Sequence, residues 1–178
     1  MMKFYRYTEK ELNELLKSIT VVIDTRENAN EHIINYFNDK KIPHIIRKLD
    51  YGDYSCYLPA NPELGIMRDI YFDCVIERKG SLEELSGNLT NDRTRLESEF
   101  IRAKDSRFIL MVEETAGFEK IINHKYNTQY HEKSFIASLL SFGHRYGIDI
   151  HFIDKKYAGL FIYHQLYYFV REYLKWLP

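Results

Sequence analysis

The 178 residues suffice for one domain with a sizeable core, and a formal net charge of −1 leaves no global basic field to advertise a nucleic-acid partner. The two cysteines, Cys56 and Cys74, have no CxxC or CxH spacing, which argues against zinc and indicates no disulfide framework. Met1-Met2-Lys3-Phe4-Tyr5-Arg6 lacks the apolar centre of a signal peptide and no apolar run reaches membrane-spanning length, so the expectation is a reduced, soluble, intracellular protein with no membrane partner.

Thr8-Glu9-Lys10-Glu11 has capping-box spacing, and Leu12, Leu15, Leu16 and Ile19 follow at helical intervals, which predicts a helix to about Ser18. Residues 19–24 read as a buried strand. Asn28 or Asn30 is placed to cap a helix to about Lys40, and Pro43 ends it. Residues 44–50 and 53–58 look like paired strands joined at Tyr51-Gly52, and Pro59 to Gly65 is loop. A central strand follows at 70–77, then a helix capped by Ser81 with a weak point at Gly87-Asn88, then a second helical stretch at 93–104. Residues 108–113 form another buried strand. Residues 116–130 are loop with a short helix, 132–146 a helix, 148–153 a strand, and about 159–177 a terminal helix. The order of elements gives an α/β fold, a mixed central sheet flanked by helices. The terminal helix is apolar nearly all round, so it is either deeply buried or half of a dimer contact, and in a domain this small the contact is favoured.

The chemistry concentrates at strand ends. Glu77-Arg78-Lys79 closes an apolar run, and alternation sends Glu77 and Lys79 to one face and Arg78 to the other. A carboxylate beside an ammonium at a buried strand end suits a hydrolytic metal site, the acid holding a divalent cation and the amine steadying a hydroxide or a phosphate oxygen. Asp24 and Asp53 end or open two further strand-like stretches, so three carboxylates are available to one cation. Singly, Gly52-Asp53 reads as a turn and Asp24 as a helix-initiating acid. Glu113 also ends a buried strand, open to either a water-mediated metal contact or simple strand termination.

Asp24-x-Arg26-Glu27, Gly52-Asp53 and Glu77-Arg78-Lys79, with Glu83 four residues after the lysine, resemble in this order the nuclease domain of the XPF family. That family covers XPF, the Mus-type junction nucleases and archaeal Hef, and its signature is a GD followed by an ERKxxxD. The resemblance runs from about Val21 to Glu113, with a continuation through the last strand and helix. It implies a restriction-endonuclease-like, PD-(D/E)xK core that uses magnesium or manganese to cut one strand of branched or flapped DNA. On that pattern Asp53 and Glu77 are metal carboxylates, Asp24 and Glu27 nearby acids that complete or tune the site, and Lys79 the catalytic lysine. Arg26 and Arg78 match arginines that orient carboxylates or bind phosphate. Two positions depart from the pattern. Glu83 stands where the family has aspartate, and Asp92-Arg93-Thr94-Arg95-Leu96 stands where relatives often carry Gly-Arg-Leu, so that Arg93 and Arg95 are both candidates for DNA contact. Tandem helix-hairpin-helix motifs, usual in relatives, have no counterpart here, so duplex grip is expected from the nuclease surface, a dimer partner or another protein.

The expected organisation is an N-terminal helical extension at 1–18 and a nuclease domain at 19–178. The expected function is metal-dependent cleavage of branched, flapped or forked DNA in repair, recombination or replication, by a homo- or heterodimer. Two alternatives stand beside it: a catalytically silent DNA-binding or scaffolding subunit of the same fold, and a restriction or junction-resolving PD-(D/E)xK nuclease.

Overall fold

The computed structural model describes residues 7–176, so the first six residues of the expected extension and the end of the expected terminal helix lie outside the described residues. The first helix, α1 (Glu9–Lys17), has the anticipated start. The Thr8 hydroxyl accepts from the Glu11 N–H, and the Glu11 carboxylate accepts from the Thr8 N–H at 2.7 Å. Leu12, Leu15 and Leu16 line its buried face.

The first strand, β1 (Thr20–Ile23), is buried along its whole length. After it comes α2 (Glu31–Asp39), preceded by Asn30. The Asn30 side chain makes no cap bond and instead donates to the Tyr54 hydroxyl at 3.2 Å. The strands β2 (His44–Ile46) and β3 (Tyr54–Leu58) are not the expected hairpin. Both pair with β1, β2 in parallel and β3 antiparallel. A fully buried strand must satisfy both of its edges, and β1 takes one neighbour on each side. Residues 47–53 are therefore a connection around the end of β1.

The expected single strand at 70–77 is two pieces, β4 (Ile70–Tyr71) on the far end of β3 and β5 (Cys74–Lys79) beside its near end. Ser55 sits at the join, its hydroxyl within reach of the Phe72 and Cys74 carbonyls at 3.3 and 2.9 Å. Next come α3 (Leu82–Thr90) and α4 (Arg93–Arg102), which part at Asn91-Asp92 rather than at Gly87-Asn88. The strands β6 (Arg107–Glu113) and β7 (Asp149–Ile153) complete the sheet in parallel, separated by α5 (Gly117–Ile122) and α6 (Glu132–Tyr146). The final helix is α7 (Ala158–Lys175). The sheet order is β2-β1-β3-β5-β6-β7, with β4 attached to β3.

Two apolar cores lie on opposite faces of this mixed sheet. One gathers Ile23, Tyr54, Cys74 and Ile76 with the inner residues of α1, α2 and α7. The other gathers Val75, Leu110 and Val112 with α3, α4, α5 and α6. Along β5, Cys74 and Ile76 face the first core and Val75 the second, so Arg78 follows the first face and Glu77 and Lys79 the second. That alternation governs the site.

The apolar character of α7 has an intrachain cause on one side. Ile162, Leu166, Val170 and Leu174 are buried in the first core, whereas Leu160, Tyr168, Tyr173 and Trp176 are exposed. Gly159 allows close approach to α2, since a Cβ there would lie 2.8 Å from the Cβ of Tyr36. Among the described residues no helix is long and apolar enough to cross a membrane. Leu166→Ala should lower the free energy of unfolding by about 2–5 kcal/mol, and Leu160→Ala by less than about 0.5 kcal/mol, in urea titrations. Equal losses would mean that α7 packs by another face.

Candidate active site

Gly52 explains how Asp53 reaches the sheet. Its φ of +73° belongs to the left-handed region, and a Cβ on it would meet the Val75 Cβ at 3.0 Å. The chain therefore presses against β5 as it enters β3. Tyr54 pairs with Ile76, and the Asp53 N–H donates to the Ile76 carbonyl at 2.9 Å. This brings Asp53 into the same cleft as Glu77, near enough for the two charges to act on each other. There the Asp53 carboxylate itself extends the ladder, accepting from the Arg78 N–H at 2.8 Å.

On that face Lys79 Nζ donates to Glu77 Oε1 at 2.6 Å, with both side chains buried. They form the floor of a cleft of about 420 Å³. Asp53, Gly52, Glu27 and the exposed Arg26 line one side, and Glu84, Asn88, Arg95, Leu96 and Glu99 from α3 and α4 line the other. Glu99 Oε1 accepts from the Gly52 N–H at 2.9 Å, tying α4 to the turn before Asp53.

Arg78 leaves β5 on the opposite face yet also lines the cleft, and its guanidinium is engaged on three sides. Its Nε donates to Glu27 at 2.6 Å, Nη1 to Glu113 at 3.2 Å and Nη2 to the Asn28 carbonyl at 3.0 Å. His32 Nε2 lies 2.6 Å from the other Glu113 oxygen. Glu113, on the Arg78 face of β6, is a partner of this clamp and is absent from the cleft lining.

Other candidates sit elsewhere. Asp24 is 1% exposed, and its oxygens accept from the Arg26 N–H and Nε at 2.9 and 2.6 Å and from the Leu49 N–H at 2.6 Å. It braces the 24–26 turn and does not line the cleft, so the structure does not place it with Asp53 and Glu77 as a third ligand. Glu83 also faces away, accepting from the Asn127 N–H at 2.9 Å. Its neighbour Glu84 takes the cleft position, 3.9 Å from Lys79 Nζ, and accepts from the Gly80 N–H at 2.8 Å. Helical geometry decides this, because α3 starts at Leu82 and turns Glu84 and Asn88, four apart, toward the cleft. Arg93 packs on α6, its guanidinium 4.8 Å from the Phe142 ring centre and Nη1 3.3 Å from Ser138 Oγ. Of these two, Arg95 lines the cleft. Sequence reasoning missed Glu84, Asn88 and Glu99. The i, i+4 spacing of Arg95 and Glu99 was the available signal.

The cleft holds more acid than its cations offset. Burial, with the neighbouring Glu77 and Glu27 charges, pushes the Asp53 carboxyl up to about 8. Burial also raises Glu77, against the opposing pull of Lys79 and with the help of Glu99. Lys79 is held above its ordinary value because the Glu77 carboxylate outweighs burial, so the amine stays charged. Asp24 is held low, since the bonds from Arg26 and the Leu49 N–H outweigh burial. Among the described residues no three His, Cys, Asp or Glu side chains are disposed to hold a metal ion by themselves.

The family model of the ERCC4 domain matches residues 23–164. XPF from Aeropyrum pernix resembles the structure with a TM-score of 0.60 at 20% identity, over 86% of this chain and 66% of that one. The same protein in complex with DNA gives 0.58 at 20% identity, over 86% and 65%. This chain thus spans just under two thirds of that protein, and the likeness establishes the XPF nuclease fold, restriction-endonuclease-like. A search of curated protein sequences finds no match.

The Asp53 shift has a stability consequence. Between its ordinary value of 3.8 and about 8 the folded chain retains a proton that the unfolded chain has released. Stability therefore falls as pH rises through that window, by at most about 1.4 kcal/mol per pH unit, and levels off above it. In urea titrations with EDTA at pH 5 and pH 8, Asp53→Asn should lose clearly less stability than the unaltered chain. Identical losses would show that Asp53 carries no raised affinity for its proton.

Proposed function

We infer the function from one premise: the chain belongs to the ERCC4-domain family. We propose that it is a divalent-metal-dependent endonuclease that hydrolyses a phosphodiester bond in branched, flapped or forked DNA, inside the cell, in repair, recombination or replication. The observation that carries this reading is the meeting of Asp53 and Glu77 in one open cleft with the Lys79 ammonium bonded to Glu77. The solved complex of Aeropyrum pernix XPF with DNA supports DNA as the partner.

The donor set fits a hard cation. Asp53 and Glu77 offer carboxylate oxygens whose proton affinity is raised by burial and mutual repulsion, strain that a magnesium or manganese ion would relieve. Two protein carboxylates with water and phosphate making up the shell is a usual magnesium arrangement, consistent with the lack of a third grouped ligand. Such an ion, when bound, supplies acidification of a water and Lewis-acid polarisation of the phosphate. Lys79, held by Glu77 at 2.6 Å, directs positive charge at the oxygens that gain charge as the ester is attacked. Arg26 and Arg95, exposed at opposite sides of the cleft, contact the flanking phosphates. Arg78 keeps the 27–28 turn and Glu113 in place from the other side of the sheet. The exposed Tyr168 and Tyr173 of α7, with Trp176 just past its end, make this outer face the dimer contact.

Flap, fork, four-way and linear duplex DNA should be incubated with the protein and magnesium or manganese, beside two variants. Glu77→Gln should reduce cutting to background, and Lys79→Ala should slow it by about 10²–10³. Both should keep most DNA affinity. Binding without cleavage in either metal would favour the silent-subunit alternative, and cleavage surviving both substitutions would place the chemistry elsewhere.

A further inference from the structure

Beside the cleft, the sheet leaves part of one face open. Val21, Ile23, Tyr54 and Cys56 point into the first core, so Val22 and Tyr57 point to the other face, the one that carries Glu77 and Lys79. Neither Val22 nor Tyr57 joins the second core, which α3 to α6 build over β5, β6 and β7. At this end Tyr57 and Tyr71, partners across β3 and β4, stack with ring centres 5.0 Å apart and planes 23° from parallel. Stacked on Tyr57, Tyr71 is still 51% exposed.

The surroundings of that ring are basic. Arg47 donates to the Tyr71 hydroxyl, its guanidinium carbon 5.1 Å from the ring centre. With Val22, Lys48, Leu49 and Asp50 these two side chains line a depression of about 200 Å³. Arg47 and Lys48 are exposed, and among the described residues neither forms an ion pair. The depression adjoins the cleft through Leu49. Arg26, which lines the cleft, donates to the Leu49 carbonyl at 3.1 Å, and the Leu49 N–H donates to Asp24 at 2.6 Å. A strand that leaves the cleft past Arg26 therefore meets Lys48, Arg47 and the Tyr71 ring.

We propose that this surface binds a single-stranded arm of the DNA, a role that rests on the nuclease reading above and specifies which part of the substrate is gripped. An unpaired base stacks on Tyr71, and Arg47 and Lys48 hold the adjoining phosphates. Inner bases of a duplex have both faces covered by their neighbours, so the ring selects unpaired bases, and every base has a face to offer. The bond to the Tyr71 hydroxyl presents ring and cation as one unit.

Fluorescent oligothymidine and a blunt duplex should each be titrated with the protein in EDTA at several salt concentrations, and flap DNA incubated with it in magnesium. Tyr71→Leu removes the ring and should weaken oligothymidine binding about 5- to 50-fold while changing the duplex Kd less than about twofold. Tyr71→Phe keeps the ring and should stay within about threefold of the unaltered chain. Arg47→Gln and Lys48→Gln test the same surface without touching the ring pair. Each should weaken oligothymidine binding and lower the slope of log Kd against log salt by about 0.7. Tyr71→Leu binding oligothymidine as tightly as the unaltered chain, or losing duplex affinity to the same extent, would overturn the stacking site. An unaltered chain that cuts flap DNA yet binds no oligothymidine overturns the site and leaves the nuclease reading intact. One that binds oligothymidine through Tyr71 and Arg47 but cuts nothing supports the site and overturns the cleavage.

Discussion

The register between β3 and β5 is the constraint on which the site depends. With Tyr54 paired to Ile76 and the Asp53 N–H bonded to the Ile76 carbonyl, Asp53 is brought to the end of β5 beside Glu77, and neighbouring like charges in a buried site are destabilising. Nothing in the packing requires that juxtaposition. Gly52 is specialised to permit it, by a positive φ and by the absence of a Cβ that would strike Val75. The Arg78 N–H then holds the Asp53 carboxylate in place. Backbone geometry thus forces two acids together, and the electrostatic strain is local and specific.

The sheet separates the charges by their work. Even positions of β5 face α1, α2 and α7, where Arg78 is buried in a clamp with Glu27, Glu113 and the Asn28 carbonyl. Odd positions face α3 and α4, where Glu77 and Lys79 meet the open cleft. The clamp satisfies Arg78 from three directions and fixes the turn that carries Glu27 toward the cleft. The open face leaves Asp53 with a raised proton affinity. The two sets meet at the end of β5, where Arg78, Glu27 and Asn28 also line the cleft.

Much of this was legible in the residues. The capping box of α1 and the opposite facing of Glu77 and Arg78 follow from local periodicity and appear as expected. The β2–β3 pairing did not, because adjacency in sequence suggested a hairpin while a third strand, β1, had the stronger claim to both edges. The carboxylate after Lys79 was misplaced by one residue. Spacing counted from a motif gives Glu83, but the starting phase of α3 turns Glu84 inward. Asp24 looked like a ligand because it ends a strand, and only three-dimensional contacts show its oxygens occupied by Arg26 and Leu49. Glu99 and Asn88 lie on helices that carry no strand-end signal at all. In α7, all-round apolarity left burial and an outside contact equally readable, and one side does belong to this chain's own core.

The site therefore combines a rigid support, a crowded acid pair and a charged amine bonded to one of those acids in one cleft, an arrangement suited to a hard cation and a phosphodiester. The most direct check is to follow the Asp53 side-chain carboxyl carbon by NMR through a pH titration, first in EDTA and then in saturating magnesium. A midpoint near 8 without the ion, dropping well into the acidic range with it, is the expected result. A midpoint near 4 in both conditions would mean that Asp53 and Glu77 neither strain one another nor share a cation.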